Sequence, residues 1–225
     1  MEFEERRIAA GQALHRASDI VNECIMRPDV NWYIKSIHKY SADLFGHSLR
    51  VAFFTAGYCC FIGQSQKETE TAIIGALLHD IGKIFISKDI LEKPGRLTVE
   101  EYEIVKGHPE IGYTYLPVHQ FNRRGISDRE RKIVLQHHEN WDGSGYPYGL
   151  KEKEIDKLAG IVHICDVYDA LISKRMYKEA FPRRKAVQIM LEDCGSKFSS
   201  IQLMDFFTWL SAVNEGSLGC IMYSL

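Results

Sequence analysis

Seven histidine and aspartate side chains stand where helices should end or where an apolar helix face should be buried. They are His47, His79, Asp80, His108, His137, His138 and Asp166. Taken singly, each histidine would be a helix cap or a satisfied core residue, because a lone ionisable group is costly to bury. As a set they are the imidazole and carboxylate ligands that Fe, Mn, Zn or Ni prefer. Seven such ligands exceed the needs of one ion and suit two, with Asp80 as the shared carboxylate.

Asp43 adds an eighth candidate ligand at this site. It lies four residues before His47, about one helical turn, so both side chains could reach one metal. In that case a third ion could bind beside the pair. The alternative is a charge at a helix start, where aspartate interacts favourably with the helix dipole. The remaining histidines His15, His38 and His119 are expected to be surface or capping residues.

Most of the sequence patterns along the chain are helical, so helices are expected to position these side chains. Apolar residues recur every three or four positions over 8–25, which gives one apolar face. Ser65, Thr98 and Ser127 are each followed three residues later by Glu, a pattern typical of a capped helix start. Further helices are expected from about 154 to 173, over 183–193 and over 199–210. No alternating strand pattern longer than a few residues occurs, so the prediction is an all-α fold.

The sequence also predicts the domain organisation. No repeat, low-complexity tract or linker interrupts it. We expect a helical extension over residues 1–40, one compact domain over 41–215 and a short tail over 216–225.

Composition limits the partners and the location. The chain has 225 residues, 45% hydrophobic and 26% charged, with a net charge of −2. That balance provides no broad basic surface for polymeric nucleic acid or anionic lipid. The sequence shows no signal peptide and no apolar run long enough to span a bilayer. Its six cysteines lack metal-binding or disulfide spacing, which suits the reducing cytoplasm.

Five motifs, which lie in order over residues 79–178, carry a resemblance to a known family that covers about residues 43–198. They read HDIGK at 79–83, KPGRLT at 93–98, HPEIG at 108–112, HHENWDGSGYP at 137–147 and DVYDALISKRMYK at 166–178. Together they resemble the HD-GYP branch of the HD-domain metal-dependent phosphohydrolases. The resemblance implies an HD-domain helical bundle with HD-GYP C-terminal helices and two or three divalent metals, with Fe or Mn expected. It also implies hydrolysis of cyclic di-GMP to the linear dinucleotide or to GMP.

Roles for individual residues follow from this resemblance. The seven residues named first match the family's metal ligands, and Asp80 with Lys83 are the expected catalytic residues. Lys83 also matches a lysine near the scissile phosphate, and Arg175 and Lys178 match basic positions that hold the ligand's phosphates. The positive charges of these three side chains suit phosphate oxygens. A second group, Gly145, Tyr146 and Pro147, matches the signature loop that contacts the ligand or a partner protein.

The sequence departs from the family at two positions besides Asp43. His163 stands where relatives usually have a small or apolar residue, and a core or metal-supporting role is expected for it. The stretch GSKFSS at 195–200 replaces one that usually reads Asp-Pro after Phe.

Two alternatives to cyclic di-GMP hydrolysis remain open. One is a cyclic-dinucleotide-responsive scaffold that turns over little substrate and docks a signalling protein on the GYP loop. The other is a phosphodiesterase for cyclic GMP-AMP. The sequence also leaves a homodimer open.

Overall fold

Helices make up nearly all of the regular structure in the computed structural model, which describes residues 2–116, 119–120, 123–174 and 180–213. The α-helices are α1 Glu2–Met26, α2 Pro28–Tyr40, α3 Ala42–Phe61, α4 Gln66–Leu78, α5 Lys88–Leu91, α6 Val99–Lys106, α7 His108–Tyr115, α8 Asp128–Gln136, α9 Lys157–Ile172, α10 Arg183–Glu192 and α11 Ser200–Ala212. Two short 3₁₀ helices cover Ile81–Phe85 and Glu152–Glu154. The strands β1 His119–Gln120 and β2 Arg123–Arg124 form a minimal antiparallel pair. The all-α prediction is confirmed.

The N-capping motifs predicted from the sequence occur, in whole or in part, at the starts of α4, α6 and α8. Thr98 and Ser127 form complete capping boxes with the glutamates three residues on. Ser65 accepts the backbone N–H of Glu68, but its hydroxyl also donates to the Glu68 carboxylate, so that box is only half formed. The expected helix start near residue 154 was wrong. Asp156 accepts the N–H of Leu158 and starts α9 at Lys157.

The core is built around α3, which packs against α1, α4 and α9. Aromatic side chains from α3, α9 and α11 meet there, with Phe54 and Tyr58 close to Tyr168 and Trp209. The predicted apolar face of α1 is buried in this core at Ala10, Leu14, Ala17, Val21 and Cys24. The division into an extension and a main domain stays a prediction, and residues 216–225 lie outside the described part of the chain. None of the described helices is both long enough and apolar enough to cross a membrane.

Candidate metal centre

Helix ends bring the candidate ligands together at one place in the fold. His79 and Asp80 follow the last turn of α4, and His137 and His138 follow the last turn of α8. The remaining three candidates come from the start of α7, the second turn of α3 and the middle of α9, and they are His108, His47 and Asp166. All are buried except His138, which is partly exposed. The predicted cluster of His and Asp side chains therefore exists in the folded chain.

Asp80 stands at the centre of this cluster, with one oxygen toward each side. Its Oδ1 lies 3.2 Å from Nε2 of His108 and 3.8 Å from Nε2 of His137. Its Oδ2 lies 3.4 Å from Nε2 of His79 and 3.8 Å from Nε2 of His47. Each carboxylate oxygen thus faces its own pair of imidazoles, which is the arrangement a bridging carboxylate requires.

Asp166 lies on the side of Asp80 that faces His47 and His79, and His138 lies on the side that faces His108 and His137. Oδ1 of Asp166 lies 3.0 Å from Nε2 of His47 and 3.9 Å from Nε2 of His79. On the other side, the His138 ring centroid lies 5.1 Å from that of His108. Ligand atoms within 4.8 Å of one another form two groups that share Asp80, one with His47 and His79, the other with His108, His137 and His138.

The imidazoles are held so that Nε2 faces the cluster. Nδ1 of His79, His108 and His137 each lies 2.7 Å from the carbonyl oxygen of the residue three positions earlier. A neutral ring whose Nδ1–H donates to a carbonyl presents the Nε2 lone pair, and metal-binding histidines are usually fixed in this way. The local helix-end geometry therefore sets the tautomer that a metal would need.

His47 is oriented by a carboxylate that the sequence analysis missed. Its Nδ1 lies 2.7 Å from Oδ2 of Asp169, and Arg50 donates to both oxygens of Asp169 at 2.7 and 3.0 Å. The available signal was spacing, since Asp169 is three residues after Asp166 and Arg50 three after His47, each on the same helix side. Asp169 is fully buried, so these contacts satisfy a charge that would otherwise be unpaired.

Lys83 lies beside the central carboxylate, as its position in the HDIGK motif suggests. Its Nζ donates to Oδ2 of Asp80 at 2.6 Å, and its side chain is 20% exposed. Gly82 lets this segment approach α7, because a Cβ there would collide with the backbone oxygen of His108 and lie 2.8 Å from the backbone nitrogen of Gly112. A larger residue at 82 would push His108 away from Asp80.

Burial and charge together set the protonation of the cluster. Burial lowers the pKa of His108, His137 and His138, which favours neutral, ligand-competent rings. Burial alone would raise the pKa of Asp80, but Lys83 and His79 hold it well below its usual range. Burial likewise opposes a charge on His47, yet hydrogen bonds to carboxylates raise its pKa to about 9.

The donor set fits divalent transition metals. Nε2 of His79 and Oδ1 of Asp80 are buried and have no hydrogen-bond partner among the described residues, although such atoms are normally paired. Both atoms point to the interior of the cluster, where a cation would satisfy them. The described cysteines are free, and none belongs to either group. The predicted cofactor class, divalent metal, is compatible with these nitrogen and oxygen donors.

The GYP loop lies directly against the cluster. The Tyr146 ring is tilted 31° from the His138 ring at a centroid distance of 4.7 Å, and the Tyr146 N–H donates to the His138 carbonyl at 3.1 Å. Gly145 is required by close packing, since a Cβ there would collide with the backbone of His138 and Asn140. Pro147, the last residue of the GYP motif, follows a cis peptide bond and is partly buried.

Glu139 anchors this loop and was also missed by the sequence analysis. It is buried and accepts the N–H groups of Tyr148 and Leu150 at 2.8 and 3.0 Å. Its place immediately after the two ligand histidines was the only available signal.

Other sequence predictions fall away from the cluster or outside the described residues. Asp43 is exposed in the first turn of α3, and neither ligand group includes it. Arg175 and Lys178 lie outside the described part of the chain. His15 and His38 are exposed, as expected, and the side chain of His119 is not described. The supporting role expected for His163 agrees with its contact, since its Nδ1 lies 2.6 Å from the carbonyl oxygen of His137.

Comparison with known proteins agrees with this architecture. A family model described as HD domain matches residues 34–200. A cyclic di-GMP phosphodiesterase of Thermotoga maritima is 40% identical over 161 residues, covering 72% of this chain and 43% of the relative. The 3'3'-cGAMP-specific phosphodiesterase 3 of Vibrio cholerae is 35% identical over 175 residues, covering 78% of this chain and 36% of the relative. The chain thus spans less than half the length of either relative.

Among solved structures, Bd1817, an HDG"Y"P protein from Bdellovibrio bacteriovorus, has a similar fold. It superimposes with a TM-score of 0.62 at 22% identity and covers 91% of this chain and 71% of that one. The HD-GYP resemblance read from the motifs is confirmed.

Proposed function

The chain belongs to the HD domain family, and on that premise we propose that it is a metal-dependent phosphodiesterase that hydrolyses a cyclic dinucleotide. The observation that carries the proposal is the geometry of Asp80, whose two oxygens face separate pairs of imidazole Nε2 atoms. We assign His47, His79, Asp80, His108, His137, His138 and Asp166 as ligands of two divalent ions. The lack of a thiolate in this set and the HD-GYP resemblance support iron or manganese as the proposed metal.

Bound ions would supply an activated water and charge stabilisation for attack on phosphorus. The chain's own residues prepare the site for that chemistry. Buried imidazoles with fixed tautomers hold their ligand atoms in place without reorganisation, and Asp169 does the same for His47. Lys83, paired with Asp80 and 20% exposed, can reach a phosphate oxygen and balance its developing charge.

Cyclic di-GMP is the proposed substrate, with the linear dinucleotide or GMP as product. The support is the 40% identity to the Thermotoga maritima enzyme named for cyclic di-GMP. Arg175 and Lys178, known from sequence alone, are proposed to hold the phosphates, and Tyr146 to contact the ligand beside His138. The free thiols of the described cysteines support a cytoplasmic location.

A second candidate substrate is cyclic GMP-AMP, favoured by the Vibrio cholerae relative named for that nucleotide. The scaffold alternative, in which the GYP loop docks a signalling protein, is disfavoured because six of the seven assigned ligands fall into the two groups and the seventh, Asp166, lies 3.0 Å from Nε2 of His47.

The deciding experiment combines metal analysis with turnover. Protein purified without oxygen and reconstituted with iron or manganese should contain at least two ions per chain. It should hydrolyse cyclic di-GMP faster than cyclic GMP-AMP or cyclic di-AMP. Two bound ions without turnover of any cyclic dinucleotide would favour the scaffold, and fewer than two ions would contradict the proposed centre.

A further inference from the structure

A cavity of about 440 Å³ lies beside the first two turns of α9, next to the metal centre but separate from it. The 3₁₀ helix Glu152–Glu154 and the first turn of α11 form its other sides. None of the seven proposed metal ligands is among its described lining residues. The volume lies within the range of small-molecule sites.

His163 lines this cavity and has an unused acceptor. The residue is 6% exposed, and its Nδ1–H donates to the His137 carbonyl at 2.6 Å. In that neutral tautomer Nε2 accepts hydrogen bonds, yet within the described part of the chain Nε2 has no partner. Because buried acceptors without partners are unfavourable, a ligand N–H or O–H would be stabilised here.

The apolar residues that line the cavity suit an aromatic ligand. The Phe198 ring lies 5.1 Å from the His163 ring at an angle of 39°. Trp141, Ile155 and Ile201 complete the apolar lining. Aromatic rings and branched side chains in the lining favour an aromatic ligand.

The charged groups around the cavity favour an anion. Lys153, Lys157 and Lys197 are exposed at its edge. Of the three acidic lining residues, Glu139 is occupied by the two loop N–H groups, and Asp156 caps α9 and pairs with Arg129 at 3.0 Å. The third, Glu152, is exposed, and Lys197 is paired with Asp193 at 2.8 Å. The charge balance at the edge is therefore set by Lys153 and Lys157 against Glu152, which leaves an excess of positive charge.

The first turn of α11 adds to this preference. Its N-cap Ser199 lines the cavity but makes no side-chain cap hydrogen bond, and the turn contains no acidic residue. Backbone N–H groups at such an end attract negative charge.

The cavity is lined in part by residues at which this sequence departs from the HD-GYP pattern. Two of the three departures from the HD-GYP pattern, His163 and the stretch 195–200, border it. Lys197, Phe198 and Ser199 come from that stretch, whereas Glu139 and Trp141 belong to the shared motif at 137–147. Part of the lining is therefore particular to this chain.

We propose that this cavity is a second ligand site for a small aromatic anion that carries a hydrogen-bond donor. Its occupation acts on the metal centre through His163, which holds the backbone of His137. The binding itself stands independently of the proposed function, whereas its effect on turnover rests on it.

Fluorescence titration with 1-anilinonaphthalene-8-sulfonate, an aromatic anion with an N–H donor, tests the binding on the metal-loaded full chain. Ile201→Trp should fill the mouth of the cavity, and Ile201 is 76% exposed, so the fold should tolerate the change. We expect affinity to fall at least tenfold. The matched control is Met204→Trp, on the same helix and 52% exposed but outside the lining, and it should change affinity less than twofold.

A charge test uses the double variant Lys153→Glu and Lys157→Glu, with Lys132→Glu, an exposed lysine on α8, as control. The double variant should also bind at least tenfold more weakly. No saturable binding to the parent, or equal affinity in Ile201→Trp and Met204→Trp, would overturn the site. Equal affinity in the charge variants would overturn its preference for anions.

The coupling is tested by kinetics with cyclic di-GMP. Saturating dye should change kcat of the parent at least twofold and leave kcat of Ile201→Trp unaltered. An unchanged kcat in parent protein that binds the dye would overturn the coupling. A parent without turnover contradicts the proposed function alone, because the fluorescence result does not depend on hydrolysis.

Discussion

Asp169 and His47 are joined by a buried 2.7 Å contact between Oδ2 and Nδ1, although 122 residues separate them in the chain. Arg50 donates two hydrogen bonds to the same carboxylate. These contacts orient the His47 ring so that its Nε2 faces Asp166 and Asp80. The proposed metal centre therefore depends on a residue outside the assigned ligand set.

Asp169→Asn should weaken metal binding by about 10- to 100-fold, the usual effect of losing a partner that orients a metal ligand. The amide cannot accept hydrogen bonds at both positions, so it must turn an N–H₂ group toward His47 or Arg50. Metal affinity measured by chelator competition checks this. Asp205→Asn, an exposed position on α11, is the control, and an affinity equal to the control would remove Asp169 from this role.

Asp80→Ala should abolish hydrolysis and remove metal from both sides of the centre. One carboxylate serves both imidazole pairs, so its loss leaves each ion undercoordinated. Elemental analysis and turnover of cyclic di-GMP measure the effect, with Asp205→Ala as control. Turnover within about tenfold of the parent, a barrier change of only ~1.4 kcal/mol, is incompatible with a bridging role.

Asp43→Asn tests whether a third ion binds. If Asp43 is a ligand, the substitution should lower the metal content from about three ions to about two, because an amide oxygen is a weaker donor. Its exposed place in the first turn of α3 tolerates Asn, so the fold should persist. Unchanged metal content and turnover would identify Asp43 as a helix-start charge beside a two-ion centre.

Gly145→Ala should destabilise the protein by about 1–3 kcal/mol, because the added methyl group collides with the backbone of His138 and Asn140. The GYP loop would also be displaced from His138, so turnover should fall. Urea unfolding and kinetics measure both effects. In the control Gly11→Ala, an open position inside α1, stability should rise by about 0.5–1 kcal/mol. A neutral effect at Gly145 would mean that the loop relaxes freely.

Arg175→Ala should weaken cyclic-dinucleotide binding and leave metal content intact, since Arg175 is assigned to phosphate rather than to metal. Losing a charge-assisted hydrogen bond should cost roughly 1.5–3 kcal/mol. Equilibrium binding of a non-hydrolysable cyclic-dinucleotide analogue to the metal-loaded protein isolates the effect from turnover. Arg183→Ala, at the start of α10, is the control. Equal affinity in both variants would return Arg175 to an ordinary solvated position.

Local interactions made much of this protein predictable from sequence. The helix starts at Thr98 and Ser127 were predictable because a capping box involves only four consecutive residues. The buried face of α1 followed from the period of its apolar residues. Asp80 could be predicted as the bridging candidate because it adjoins His79 in a helix-ending motif, and because seven candidate ligands suit two ions that share one carboxylate.

Only the tertiary structure decided how the site is supported. The hydrogen bonds from Arg50 to Asp169 and from His163 to the His137 carbonyl join distant segments, and no local pattern encodes such pairing. The same holds for Glu139, whose buried carboxylate is occupied by a loop that folds back on it. Residue types thus determined which chemistry was available, because ligand preference belongs to the side chain. The packing of helices determined which atoms meet, because contact geometry depends on the whole fold.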